Sequence, residues 1–125
     1  MAYPKGVISP ADAKALNDAY SARHTVISNF MKRDDNRSAW FSLEDLQAYL
    51  TQVKKDNPDM DGVRIYMGAY ADDKGGQPGY TTVFIVPTAP NSLGKDGNGG
   101  SGDIPGGSGL NYGGNGNPPG ANYPQ

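Results

Sequence analysis

Gly62-Val63-Arg64-Ile65-Tyr66-Met67-Gly68-Ala69-Tyr70 is the stretch on which the fold turns. Val63, Ile65, Met67 and Ala69 fall on one side of it, and Arg64, Tyr66, Gly68 and Tyr70 on the other. That period of two predicts a β-strand. Downstream, Tyr80-Thr81-Thr82-Val83-Phe84-Ile85-Val86 is dense in β-branched and aromatic residues and predicts a second strand, closed by Pro87 and Pro90. Ala71–Gly79 between them carries Asp72, Asp73, Gly75, Gly76 and Pro78, so it is a loop. The two strands therefore form an antiparallel hairpin.

Upstream of the hairpin the period changes to that of a helix. Ser9-Pro10-Ala11-Asp12 supplies a cap, a first-turn proline and a first-turn carboxylate. Ala13, Leu16, Tyr20, Ile27 and Phe30 follow at helical spacing, which predicts a helix from Pro10 to about Lys32 with those residues inward. Ser42-Leu43-Glu44-Asp45 approaches a capping box, and Phe41 with Leu46 makes a hydrophobic staple. Leu43, Leu46, Tyr49, Leu50 and Val53 form one apolar face, and Asn57-Pro58 ends the helix near Lys55.

The chain has 125 residues, Lys+Arg 11 against Asp+Glu 13, one His and no Cys. Of its 18 glycines, 12 lie between Gly94 and Gly120. Residues 91–125 repeat Gly-Gly-Ser-Gly and Asn-Tyr with little to bury, which predicts a disordered, Gly/Asn/Pro-rich tail. Residues 1–90 then form one small α+β domain: two amphipathic helices packed on an antiparallel β-hairpin. A lone hairpin has two open edges. Tyr3–Ile8, the tail or a second copy would each close one, and extension to a larger sheet by dimerisation is the preferred expectation, because symmetric dimers are the commonest soluble assembly.

The segments Arg37-Ser38-Ala39-Trp40-Phe41-Ser42-Leu43-Glu44, Gly62–Tyr70 and Thr82-Val83-Phe84-Ile85-Val86-Pro87-Thr88 together resemble a group of small uncharacterised bacterial proteins. The resemblance covers roughly residues 10–88. It implies a bacterial, small, single-domain protein and transfers no activity.

Several chemistries lack their residues. Without cysteine there is no disulfide, thiolate nucleophile or Cys-type metal site. The longest apolar run, Val83–Val86, is far below the roughly 20 residues of a membrane span. Lys5 has no apolar stretch behind it, which predicts no secretory signal and a cytoplasmic location. A net charge of −2 gives no electrostatic reason for nucleic-acid binding. Asn57-Pro58-Asp59-Met60-Asp61-Gly62 begins like a calcium loop, but its twelfth position is Gly68, so it reads as a turn. His24 has Asp18, Ser21 and Ser28 at helical spacings, yet one helix seldom assembles a nucleophile site. Asp34-Asp35 and Asp72-Asp73 are adjacent loop carboxylates, not carboxylates facing across a cleft. No cofactor and no metal site is expected.

What stands out is a Tyr/Arg face. Arg64, Tyr66, Tyr70 and Phe84 would share one side of the hairpin, with Tyr112 and Tyr123 in the tail as further contacts. Tyr and Arg are enriched at protein interfaces. The expectation is a non-enzymatic interaction or assembly protein acting as a homo-oligomer or with a protein partner. The alternatives are a module binding a small ligand or cation between the helices and the Ala71–Gly79 loop, and an enzyme whose site forms only between subunits.

Overall fold

A computed structural model of the chain describes residues 3–71, 79–90, 100–111, 114–115 and 120–124. The elements run α1 (Pro10–Met31), β1 (Ala39–Trp40), α2 (Leu43–Asp56), β2 (Gly62–Ala69), β3 (Thr81–Pro90), β4 (Ser101–Asp103) and β5 (Gly114–Asn115). The class is α+β. Two compact units divide the chain: Met1–Ser38 with Asn115–Gln125, and Ala39–Gly114. Among the described residues no helix is long and apolar enough to cross a membrane.

In the first unit α1 starts as expected, with Ser9 Oγ accepting from the Asp12 N–H at 3.1 Å and Pro10 leading the helix. It stops at Lys32, a left-handed residue with φ 60°, whose N–H returns to the Asn29 carbonyl. Its covered side differs from the expectation. Tyr20 and Ile27 are half-buried, but Leu16 and Phe30 are exposed, as is Val26. The covered side is largely polar because the loop after the helix docks through hydrogen bonds. Asp35 is fully buried, its N–H donates to Ser28 Oγ at 2.9 Å, and its carbonyl lies 2.8 Å from His24 Nε2. That contact places the imidazole hydrogen on Nε2. Arg37 donates to the Asn17 carbonyl and to Asn17 Oδ1 at 2.7 and 3.0 Å, with its guanidinium 5.3 Å from the Tyr20 ring centre. Gly120 lies against Asp34, and the Tyr123 N–H reaches Asn17 Oδ1 at 3.3 Å. His24 is thus a loop anchor.

In the second unit the sheet has three strands in the order β2-β3-β4, all antiparallel. β2 and β3 pair from Gly62↔Thr88 to Ala69↔Thr81, which is the expected hairpin. The third strand comes from the stretch whose composition predicted a disordered tail. Thr88, Ala89 and Pro90 pair with Asp103, Gly102 and Ser101. Ile104-Pro105-Gly106-Gly107 then turns the chain: Gly106 has φ 74° and the Gly107 N–H closes on the Ile104 carbonyl at 3.0 Å, which is a type II turn. Leu110 returns to exchange both backbone bonds with Ile85, at 2.8 and 2.9 Å. Composition misled here because sparse residues suffice. Three strand residues, one Pro-Gly turn and one leucine dock a segment that is otherwise glycine and serine.

Among the described residues the buried apolar side chains are Val53 of α2 and Ile85, Pro87 and Ala89 of β3. Tyr49 ties α2 to this region, its hydroxyl donating to the Ile85 and Ser108 carbonyls at 3.2 and 2.7 Å. Desolvation raises the Tyr49 pKa, keeping the phenol a donor. The α2 cap forms as the sequence predicts, Ser42 Oγ accepting from the Asp45 N–H at 3.0 Å.

Candidate functional site

The even-numbered side of the sheet holds most of the predicted interface residues, because the register sets Tyr66 against Phe84, Gly68 against Thr82 and Arg64 against Val86. Tyr66 and Phe84 stack with ring centres 5.2 Å apart and planes 13° apart. Gly68 leaves room for this, since a Cβ there would already touch the Phe84 ring at 3.4 Å. Tyr70, half-buried, accepts from the Thr82 hydroxyl at 3.4 Å and donates to Asn111 Oδ1 at 3.3 Å. Tyr123 belongs to the other unit, and Tyr112 lies outside the described residues.

Two carboxylates organise this side that the sequence did not place on it, Asp61, which reads as a turn residue, and Asp103. Asp103 Oδ1 accepts from Arg64 Nη1 at 2.7 Å, Asp103 Oδ2 accepts from the Tyr66 hydroxyl, and Arg64 Nη2 also donates to the Ser101 carbonyl at 3.0 Å. Asp61 accepts from the Thr88 hydroxyl at 2.8 Å and from the Ser101 hydroxyl. These bonds set both acids below the ordinary carboxylate range: the Tyr66 and Arg64 donors act on Asp103, the Ser101 and Thr88 donors on Asp61. The same carboxylate raises the pKa of the Tyr66 phenol, which donates to it, and that of Arg64. Each acid therefore already holds two side-chain donors. The cluster acts as a clamp fastening β4 onto the sheet, with the Tyr66–Phe84 stack at its margin. A signal for it exists in the chain: Ser101-Gly102-Asp103 stands directly before Ile104-Pro105-Gly106, a short polar strand entering a Pro-Gly turn.

On the odd-numbered side cover is uneven. Ile65 is 61% exposed and Met67 66%, while Ile85, directly across from Ile65, is only 5% exposed. Cover ends between β3 and β2, and the bonds that tie α2 to the sheet, from the Tyr49 hydroxyl to the Ile85 and Ser108 carbonyls, fall on β3 and the returning segment.

Backbone phase adds to this. The Tyr70 N–H donates to the Tyr80 carbonyl at 3.0 Å, and this pair continues the β2–β3 register. Hydrogen-bonded and non-hydrogen-bonded pairs alternate in an antiparallel ladder. Even residues of β2 therefore bond to β3, and the N–H and C=O groups of Val63, Ile65 and Met67 point away from it. β3 obeys the same phase: its odd residues Ile85 and Pro87 bond outward, to Leu110 and Ile104. Among the described residues no strand lies beyond β2.

For a ligand or cation the described residues offer less. No three His, Asp or Glu side chains among them converge as a metal site. A shallow groove of about 520 Å³ runs between Leu50, Thr51 and Lys54 of α2 and Met60-Asp61-Gly62, but the Lys54 ammonium already donates to the Pro58 and Met60 carbonyls. Most of the Ala71–Gly79 loop, against which the ligand alternative was placed, lies outside the described residues.

No known family model matches the chain, and neither a curated protein nor a solved structure is similar to it at a significant level.

Proposed function

We propose that this chain is a small protein-interaction or assembly module, not an enzyme, and that it works through β2 as a docking strand, as a homo-oligomer or with a protein partner. One observation carries the reading. The residues of β2 whose apolar side chains stand in solvent are the same residues whose backbone groups face away from the sheet. An added strand satisfies those groups with main-chain bonds and lays its own side chains beside Val63, Ile65 and Met67. An edge of this kind, with no proline and no charge on its core-facing side, is what a strand-accepting surface needs. The clamp of Asp61, Arg64, Tyr66, Ser101 and Asp103 fastens β4 onto the far side of β3, where it forms an edge of three residues against the eight of β2, so the longer edge is the one offered for docking.

A photoreactive side chain placed at Ile65 of the full chain in cells tests the reading, with Gln47 on the exposed side of α2 as control. A discrete adduct from position 65 and none from 47, with the chain itself or with one other protein, supports it. Equal labelling from both positions, or none from either, overturns it.

A further inference from the structure

We infer that the strand received by β2 is β2 of a second copy of this chain, antiparallel, about a two-fold axis at Ile65. This rests on the reading of β2 as a docking strand and names its occupant.

The geometry of β2 is nearly its own complement. A two-fold at Ile65 sets Ile65 against Ile65, Val63 against Met67, Arg64 against Tyr66, and Gly62 against Gly68. The outward-facing Val63, Ile65 and Met67 then all fall on hydrogen-bonded positions, and every residue from Gly62 to Gly68 has a partner. On the apolar side only aliphatic and thioether side chains meet. On the other side Arg64 is set beside the second copy's Tyr66, and its guanidinium stays on Asp103 and the Ser101 carbonyl of its own β4, so no two like charges are brought together. Neighbouring registers lose these features. A two-fold at Arg64 sets two arginines directly opposite each other, which destabilises a strand pair. A two-fold at Tyr66 pairs as many residues but sets Arg64 against Gly68 and Val63 against Ala69, so the cross-strand contacts of Arg64 and Val63 are lost. Closure is also inherent, because an isologous pairing uses up the β2 edge of both copies and gives a finite six-stranded sheet.

The chain has no cysteine, so single introduced thiols report the register cleanly. Directly opposed hydrogen-bonded positions hold Cα atoms about 5.5 Å apart, within disulfide reach. Under mild oxidation of the full chain, Ile65→Cys alone should give a covalent dimer. Val63→Cys alone and Met67→Cys alone should not, because each sits well along the strand from its own copy. A mixture of those two variants should give the heterodimer. Ile65→Lys, which sets two ammonium groups opposite each other, should be monomeric by light scattering with an unchanged far-ultraviolet spectrum. If Val63→Cys links to itself, or Ile65→Cys does not link while the wild type is dimeric, the register is wrong and the inference falls. If the wild type is monomeric and position 65 photolabels a different protein, the inference fails and the docking-strand reading stands. A monomer with no label at 65 removes both.

Discussion

Gly107→Ala probes the least expected part of the fold, the return of the glycine-rich segment onto β3. A Cβ at position 107 would stand 2.7 Å from Pro87 Cγ, 3.4 Å from Pro87 Cδ and 3.2 Å from the Ile104 carbonyl oxygen. Non-bonded carbons prefer about 3.5–4.0 Å, so the segment must move by about 1 Å. Neither neighbour yields readily. Pro87 is a fully buried ring in β3, and the Ile104 carbonyl is held by the Gly107 N–H. Overpacking of this kind costs about 1–3 kcal/mol. The displaced segment carries the Leu110–Ile85 bond pair and the Ser108 carbonyl that receives Tyr49, so part of the α2 anchorage goes with it. Gly106→Ala is the comparison. It meets no atom within 4 Å, but its φ of 74° strains any residue with a Cβ, by about 1–2 kcal/mol. Only the first loss should be relieved by Pro87→Ala, which removes the Cγ and Cδ atoms. Urea unfolding of the single and double variants, read as a mutant cycle, measures this coupling. Wild-type stability for Gly107→Ala, or no coupling to position 87, would refute the docked geometry.

Other expectations follow from the same contacts. Val53→Ala removes about two carbons from a buried position of α2 and should cost about 2 kcal/mol, seen as a lower urea midpoint with the denaturant slope unchanged. Lys32→Gly relieves a left-handed residue at the end of α1 and should stabilise that helix by about 0.5–1 kcal/mol, measured as slower amide exchange in its last turn. The attachment of β4 should depend on pH at both ends. Asp61 and Asp103 have lowered folded-state pKa values, so their contribution is present above the ordinary carboxylate range and is lost as pH falls through the folded values. Tyr66 has a raised value, so its contribution is present below the ordinary phenol range and is lost as pH rises through the folded value. Amide shifts of Ser101–Asp103 should therefore be flat across neutral pH and move only in acid and strong alkali; a transition near neutrality would contradict the clamp.

Local patterns in the chain carried over to structure wherever neighbouring residues set them. Ser9-Pro10 and Ser42 cap their helices because a cap needs only the next three residues, and Val63–Ala69 pairs with Thr81–Pro87 because period two and β-branching suit a ladder. What depended on distant partners was harder to read. The apolar residues of α1 looked inward-facing, but the loop at 34–37 brings buried hydrogen-bonding groups that select Asn17, His24 and Ser28. The alternation of β2 gave its two sides but not which side is covered or where the covering helix stops. The Tyr/Arg face was legible as residues, since its members lie on one strand pair. Its organising acids, Asp61 and Asp103, were not, because one seemed a turn residue and the other sat in a segment whose composition argues against order. The buried Pro87 and Ile85, with the half-buried Leu110 bonded through its backbone to Ile85, hold the segment in spite of that composition.

The most direct test of the account is sedimentation velocity of the full chain across a dilution series, wild type beside Ile65→Lys. A reversible monomer–dimer equilibrium in the wild type that disappears in the variant, with secondary structure retained, is the result expected from an open β2 edge paired across a two-fold. A wild type that stays monomeric throughout, or a variant that dimerises as the wild type does, would contradict it.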